Sequence, residues 1–351
     1  MSPAARLAQL RRARGWSQAA LAGRCGVSRA EISAIETGRL VPSVATALRV
    51  AGAVGEPVEA VFAAAPEPAW RWAWLPPSAA DGRVWQAAIG RRTLLYPVEP
   101  TVAGVLAHDG WWHEGRLHAR AAAPPADTLV IAGCDPMAAL LARELWVRHG
   151  VRLLPLPRSS ARALALLRQG LVHAAGLHVA DAAGRSTNGR LVRETLGPGY
   201  RLAHQVRWEA GIAVVPGRRE RTAGALLRAN VRWVNREVGS AARDALDVLL
   251  ASRRRPRGYE RVVQDHRAVA ATVASGWAEA GICVRAAAAE ARLPFIPLRH
   301  EAYELCFAEG NADDPRVRAL LATLQSPVYR QLIGDVPGCT VRETGDVRSV
   351  T

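Results

Sequence analysis

The segment 15–38, GWSQAALAGRCGVSRAEISAIETG, reads as two short helices joined by a tight turn. Ala22 stands four residues before Gly26, Val27 follows, and Ile32 and Ile35 complete the apolar spacing. Each position has a mechanical reason. Where one helix crosses another, the facing residue must be small, as Ala22 is. Gly26 can adopt the left-handed backbone conformation that such a turn demands. Val27, Ile32 and Ile35 then seat the second helix against the first. Ser17 and Ser28 open the two runs, where a hydroxyl accepts a hydrogen bond from an otherwise unpaired backbone N–H.

The same grammar extends over residues 1–64, which read as an all-α domain. Leu7 and Leu10 form an apolar stripe, SVATALRVAGAV opens at Ser43, Gly38 punctuates, and Pro57 starts a short last helix ending near Phe62. This segment closely resembles the helix-turn-helix of the phage-repressor (Cro/C1, Xre-type) family. The resemblance implies that Gln18 bonds a phosphate and that Ser28, Arg29, Ala30 and Ser33 face base edges in the major groove. Arg29 is the expected direct reader, since arginine pairs bidentately with guanine. Arg39, with Arg11 or Arg12, would add phosphate contacts. A homodimer on a double-stranded DNA operator follows, with half-sites about 34 Å apart. A helical bundle with incidental arginines, or a motif used only for protein contacts, is the competing reading.

Residues 65–128 change character, being rich in proline and tryptophan, with RRTLLYPVEP as a strand ended by proline. They are expected to be a linker with a small β element whose tryptophans form its core rather than a base-stacking surface. From 129 to 351 strands and helices alternate. TLVIAGCDP, VRLLPLP, AAGLHVAD, VRWVNREV, EAGICV and PFIPL read as strands with helices between them, and the stretch DPRVRALLATLQSPVYRQLIGDV as a closing helix. Such alternation implies mainly parallel sheets covered by helices, in two successive blocks. Two lobes with a cleft between them are expected.

Ligands of open α/β sheets sit beyond the carboxyl ends of strands. The turns there carry Cys134 and Asp135, Ser159 and Ser160, Gly239 and Ser240, and Asp265 and His266. Serine hydroxyls and N–H groups at helix starts suit an oxyanion, and Arg243 would supply positive charge. Taken singly, each of these residues is equally an ordinary cap or turn former.

GCDPMAALLARELW, RQGLVHAAGLHVAD, VNREVGSAARDALD, HRAVAATVASGWAEAGICV and EAYELCF resemble the periplasmic-binding-protein-like domain of some helix-turn-helix regulators and molybdenum-cofactor proteins. That resemblance implies a two-lobed α/β (type II) domain for oxyanions of the molybdate or tungstate class. Ser159-Ser160-Ala161-Arg162 and Ala241-Ala242 depart from the glycine-rich turns usual in such domains, so the ligand is open to change.

The formal charge of +15 fits an acidic partner. All 46 basic residues are arginine and alanine is abundant, a compositional bias that raises positive charge without any binding role. Five scattered cysteines, with no CxxC pair, argue for a reducing compartment and against disulfides or a structural zinc site. No uncharged run approaches the roughly 18 residues of a membrane span, and no signal peptide is apparent, so a cytoplasmic location is expected.

HExxH, GxSxG and GxxxxGK[ST] are absent from the sequence, and an enzyme is not expected. Cys134 reads as a small turn residue without a partner, and His173 and His178 as core or cleft wall rather than metal ligands. No cofactor or metal is expected. The leading expectation is a multidomain DNA-binding transcription regulator that senses a small molecule, an oxyanion such as molybdate or tungstate. The alternatives are a cleft domain serving only dimerisation or partner docking, and an enzyme of molybdenum-cofactor chemistry with a DNA-binding head.

Overall fold

The computed structural model describes residues 3–62, 70–74, 81–101, 105–120, 124–181, 184–251 and 253–350. The chain forms two compact units, Met1–Arg71 and Trp72–Thr351. Much of the proline-rich sequence at 65–69 and 75–80 lies outside the described residues. No described helix is long and apolar enough to cross a membrane.

In the first unit, helices α1 (Pro3–Ala13), α2 (Gln18–Cys25), α3 (Arg29–Glu36), α4 (Val44–Ala53) and α5 (Val58–Phe62) enclose a small core. Leu7, Leu21, Ile32, Val50, Val54 and Val61 are fully buried there. The serine caps form as expected, with Ser17, Ser28 and Ser43 accepting from the N–H groups of Ala20, Glu31 and Thr46. Gly26 sits at φ 62°, ψ 40°, and its N–H closes α2 on the carbonyl of Ala22.

The second unit holds two sheets. Strand β1 (Trp70–Trp72) straddles the boundary between units; β2 (Gly82–Ile89), β3 (Arg92–Pro97), β4 (Gly110–His113) and β5 (Arg116–Ala119) are antiparallel neighbours in the order β3-β2-β4-β5. This part is no mere linker. Trp85, Leu94 and Tyr96 share one apolar cluster with Val130, Leu154 and Leu164 of the following α/β block, and half-buried Arg152 makes an ion pair with buried Asp109. Trp85 is core, as expected for these tryptophans, whereas Trp111 is exposed.

The large sheet begins with β6 (Thr128–Gly133), β7 (Arg152–Pro157) and β8 (Ala174–Leu177), all parallel, with α6 (Ala138–His149) and α7 (Ser160–Arg168) as crossovers. A second parallel set follows, β10 (Trp233–Arg236), β11 (Val262–Val263) and β12 (Ala280–Val284), with α10 (Ala241–Leu250) and α11 (His266–Ala274). Two long antiparallel strands, β9 (Tyr200–Val214) and β13 (Phe295–Ala308), pair with each other and join the blocks into two lobes.

The mainly parallel expectation is corrected here. β9 has no alternating polarity, because 11 of its 15 residues are buried, so it gave no period-2 signal. The closing helix is also two, α13 (Pro315–Gln325) and α14 (Pro327–Gly334). Pro327 cannot extend a helix, and Ser326 caps the second one by accepting from Tyr329 N–H.

Candidate functional site

In the helical unit, the residues read as a DNA face fall into two groups. Ser28, Arg29 and Ala30 are exposed at the start of α3, Arg39 is exposed beyond its end, and Ser33 is half-buried one turn in. Gln18 and Arg11 behave differently. Arg11 is 8% exposed and donates from Nε and Nη2 to Glu36, at 2.6 and 2.9 Å, while Gln18 Nε2 donates to the same carboxylate at 2.9 Å. Arg11 therefore locks α1 to α3 instead of reaching outward, and Arg12 is the exposed neighbour. Gln18 is held in place by Glu36, with one amide hydrogen spent.

In the two-lobed unit, the carboxyl ends of strands converge at the lobe boundary. Beyond β6 lies Cys134, beyond β8 lies His178, and His266 opens α11 in the other lobe. Cys134 Sγ is 2.8 Å from His178 Nε2, which corrects the expectation that Cys134 has no partner. His178 Nδ1 contacts Glu301 Oε2 at 2.9 Å, and that carboxylate also accepts from Trp208 Nε1 at 3.3 Å and Arg299 Nε at 2.8 Å. Burial opposes charge on His178, but the Cys134 sulfur and Glu301 carboxylate outweigh it and lift the imidazole to about 10. For Glu301 burial acts upward, and His178 with Arg299 pulls the carboxyl below its usual range. His266 goes the other way: burial, then the Arg236 and His178 charges, hold it well below the ordinary imidazole value, and neither ring nitrogen has a partner.

The other expected residues take varied places. Asp135 is spent within its own lobe, accepting from Met137 N–H and Gln205 Nε2, both at 2.7 Å, and burial raises its carboxyl. Ser160 accepts weakly from His178 N–H, at 3.4 Å, whereas buried Ser159 Oγ has no partner. Gly239, at φ 85°, sets its lobe against the other: a Cβ there would stand 3.6 Å from Ala161 Cβ and 3.9 Å from Ser159 Oγ. Ser240 and Asp265 are helix caps, accepting from Arg243 and Ala268 N–H.

Arg243 is not the cleft cation expected, because it donates to Tyr259 Oη and the Arg236 carbonyl and stacks on the Tyr259 ring. Arg236 was missed. It is 1% exposed, binds Glu237 through Nε and Nη2, and leaves Nη1 unpartnered. Its place at the end of β10, within VNREVG, was the available signal.

The same unit holds a cavity of about 520 Å³, walled by Trp74, Glu99, Arg158, Ser159, Arg162, Glu237 and Gln264 among others. It draws on the small sheet, the start of α7 and the opposite lobe.

Comparison with known proteins agrees with this layout. A family described as the PBP superfamily domain matches residues 142–325, and a helix-turn-helix domain matches residues 4–62. The chain is 31% identical over 228 residues to YvgK, an uncharacterized protein of Bacillus subtilis (strain 168), covering 62% of this chain and 73% of that one. Among solved structures, it is similar to PhnD1 from Prochlorococcus marinus (MIT 9301) in complex with methylphosphonate, at 13% identity and a TM-score of 0.44, over 64% of this chain and 93% of that one. The controller protein C.AhdI from Aeromonas hydrophila is 32% identical with a TM-score of 0.17, over 17% of this chain and 91% of that one. A helix-turn-helix head followed by a two-lobed α/β domain is what the fold and the family models show together, and the chain belongs to the PBP superfamily domain family.

Proposed function

We propose that the chain is a DNA-binding transcription regulator whose two-lobed domain closes on a small anionic ligand. The carrying observation is the 520 Å³ cavity in which Ser159 and Arg162, from the start of α7, face Glu237 and Gln264 of the other lobe. That volume suits a small organic anion or a hydrated oxyanion. Arg158 there is paired with Glu99 at 2.8 Å, so exposed Arg162 and the N-terminal turn of α7 are the groups set to meet negative charge. Molybdate and tungstate remain in this class, with phosphate and sulfate.

Binding to one closed arrangement would shift operator affinity by the ligand's differential affinity for the two lobe states. Binding rather than turnover is inferred, since Cys134 is 2% exposed and is absent from the cavity wall. The head is read as Xre-type, acting as a homodimer in the cytoplasm. Val41, Val44 and Leu48, exposed by 88, 78 and 56%, support pairing, with Val44 and Leu48 on one face of α4.

The test uses the full chain and a duplex enriched from a random library. Operator affinity and thermal unfolding are measured with molybdate, tungstate, sulfate, phosphate and small organic acids. A ligand at about 100 times its Kd stabilises the fold by about 2.7 kcal/mol, and one such ligand is expected to change operator affinity as well. Sequence-selective DNA binding that ignores every ligand would support a purely architectural cleft instead.

A further inference from the structure

Cys134, His178 and His266 are all buried, and the ligand atoms they offer lie within 4.8 Å of one another. They come from three separate segments and from both lobes. Two observations go beyond this proximity. His266 is 2% exposed, yet both ring nitrogens lack a hydrogen-bond partner, which a histidine kept for packing would not tolerate cheaply. His178 is oriented from behind, with Nδ1 on Glu301 and Nε2 directed at Cys134. A carboxylate that fixes one imidazole nitrogen while the other faces the cluster is the arrangement that orients metal-binding histidines. A nucleophilic cysteine with a histidine base would use Cys134, His178 and Glu301 but leave His266 unexplained. One metal ion accounts for all four.

We propose that Cys134 Sγ, His178 Nε2 and a ring nitrogen of His266 bind one thiophilic transition-metal ion, tying the two lobes together. Thiolate and imidazole donors select zinc-like or cuprous ions over magnesium or calcium. Tetrahedral zinc sits about 2.3 Å from sulfur and about 2.0–2.1 Å from nitrogen, so a donor set this compact needs only small side-chain adjustments. On binding, the proton that Cys134 Sγ and His178 Nε2 share across their 2.8 Å contact leaves to solvent and the metal–sulfur and metal–nitrogen bonds form in its place, with no change of oxidation state. Three protein donors leave a fourth position for water or an anion. The inference goes beyond the anion-sensing reading and shares with it only the closing of the lobes.

The full chain, stripped by chelator under reducing conditions, is titrated with Zn²⁺ against a chromophoric competitor and in parallel with Co²⁺. One equivalent is expected, and cobalt should show a thiolate charge-transfer band with the intense visible bands of a tetrahedral site. Cys134→Ser should abolish the charge-transfer band, and His266→Gln should weaken zinc binding at least about tenfold, both variants retaining the metal-free unfolding profile. Absence of zinc and cobalt binding, or binding untouched by Cys134→Ser, overturns the site. Operator affinity is read in the same samples. If zinc fails to bind while an oxyanion still shifts operator affinity, the metal site falls and the sensing cleft stands. If zinc binds with the thiolate band but no ligand alters operator affinity, the site stands and the sensing reading falls.

Discussion

Glu301 supports His178 from the rear of the lobe boundary, with Oε2 2.9 Å from the imidazole Nδ1 and its other oxygen on Arg299. The carboxylate is 2% exposed and the Arg299 side chain 14%, so each charge depends on the other for its burial. Glu301→Gln keeps the shape and removes the charge. Breaking one partner of a buried pair costs about 3–5 kcal/mol, because the survivor stays desolvated. Denaturant unfolding followed by tryptophan fluorescence should show that loss, with Trp208 as a local reporter since it donates to the same carboxylate. A loss below about 1 kcal/mol would mean that Arg299 finds another partner.

His173 predicts the acid side of the stability profile. It accepts from Val130 N–H at 2.9 Å through Nδ1, and Nε2 lies 3.0 Å from the Ala88 carbonyl, joining the two sheets as a neutral ring. Burial, reinforced by the Arg316 charge, lowers it to about 4. An unfolded imidazole takes up its proton near 6.5, so the native state binds fewer protons between those values. The stabilisation is complete above about 6.5 and is lost as pH falls toward 4, with a slope of about 1.4 kcal/mol per pH unit. Replacing His173 by Asn should flatten the wild-type profile in that window. An unchanged slope would assign acid unfolding to other groups.

What the sequence revealed follows from the range of the interactions involved. Caps and turns at Ser17, Gly26, Ser28 and Ser43 are decided by neighbours within one helical turn, and they stand where the pattern put them. β9 escaped notice because burial on both faces erases alternation. The cluster escaped for a different reason. His178 is 44 residues from Cys134 and 123 from Glu301, and only the strand order β13-β8-β6 brings their ends together. Arg243 and Arg236 show the same limit in reverse. Both follow from one strand–helix turn, and tertiary contact with Tyr259 decides which of them is spent.

The DNA head separates two kinds of contact. Arg29→Ala should relax base preference at one position per half-site, at a cost of about 1–3 kcal/mol, as measured by enrichment from random duplexes. Gln18→Ala should weaken binding to all sequences alike. Because Gln18 also donates to Glu36, it should additionally lower the stability of the head by about 0.5–1.5 kcal/mol. A Gln18→Ala variant that alters sequence preference would place that side chain on a base edge.

The packing of Tyr303 gives the most local test. Its ring is fully buried, lies 4.7 Å from that of Trp208, and ends in a slot made by two glycines. A Cβ built on Gly176 or on Gly133 would strike the Tyr303 hydroxyl, so neither strand end can carry a side chain while the ring stays. Gly176→Ala must push the ring off Trp208, and overpacking of this kind costs about 1–3 kcal/mol. The hydroxyl has no hydrogen-bond partner, so Tyr303→Phe alone should be close to neutral. Combined with Gly176→Ala, it removes the nearest atom of the clash and should restore part of the lost stability. The two changes are therefore expected to be non-additive in a double-mutant cycle, with a positive coupling of about 0.5 kcal/mol or more. Strict additivity would show that the backbone at Gly176, rather than the ring of Tyr303, yields to the added methyl group.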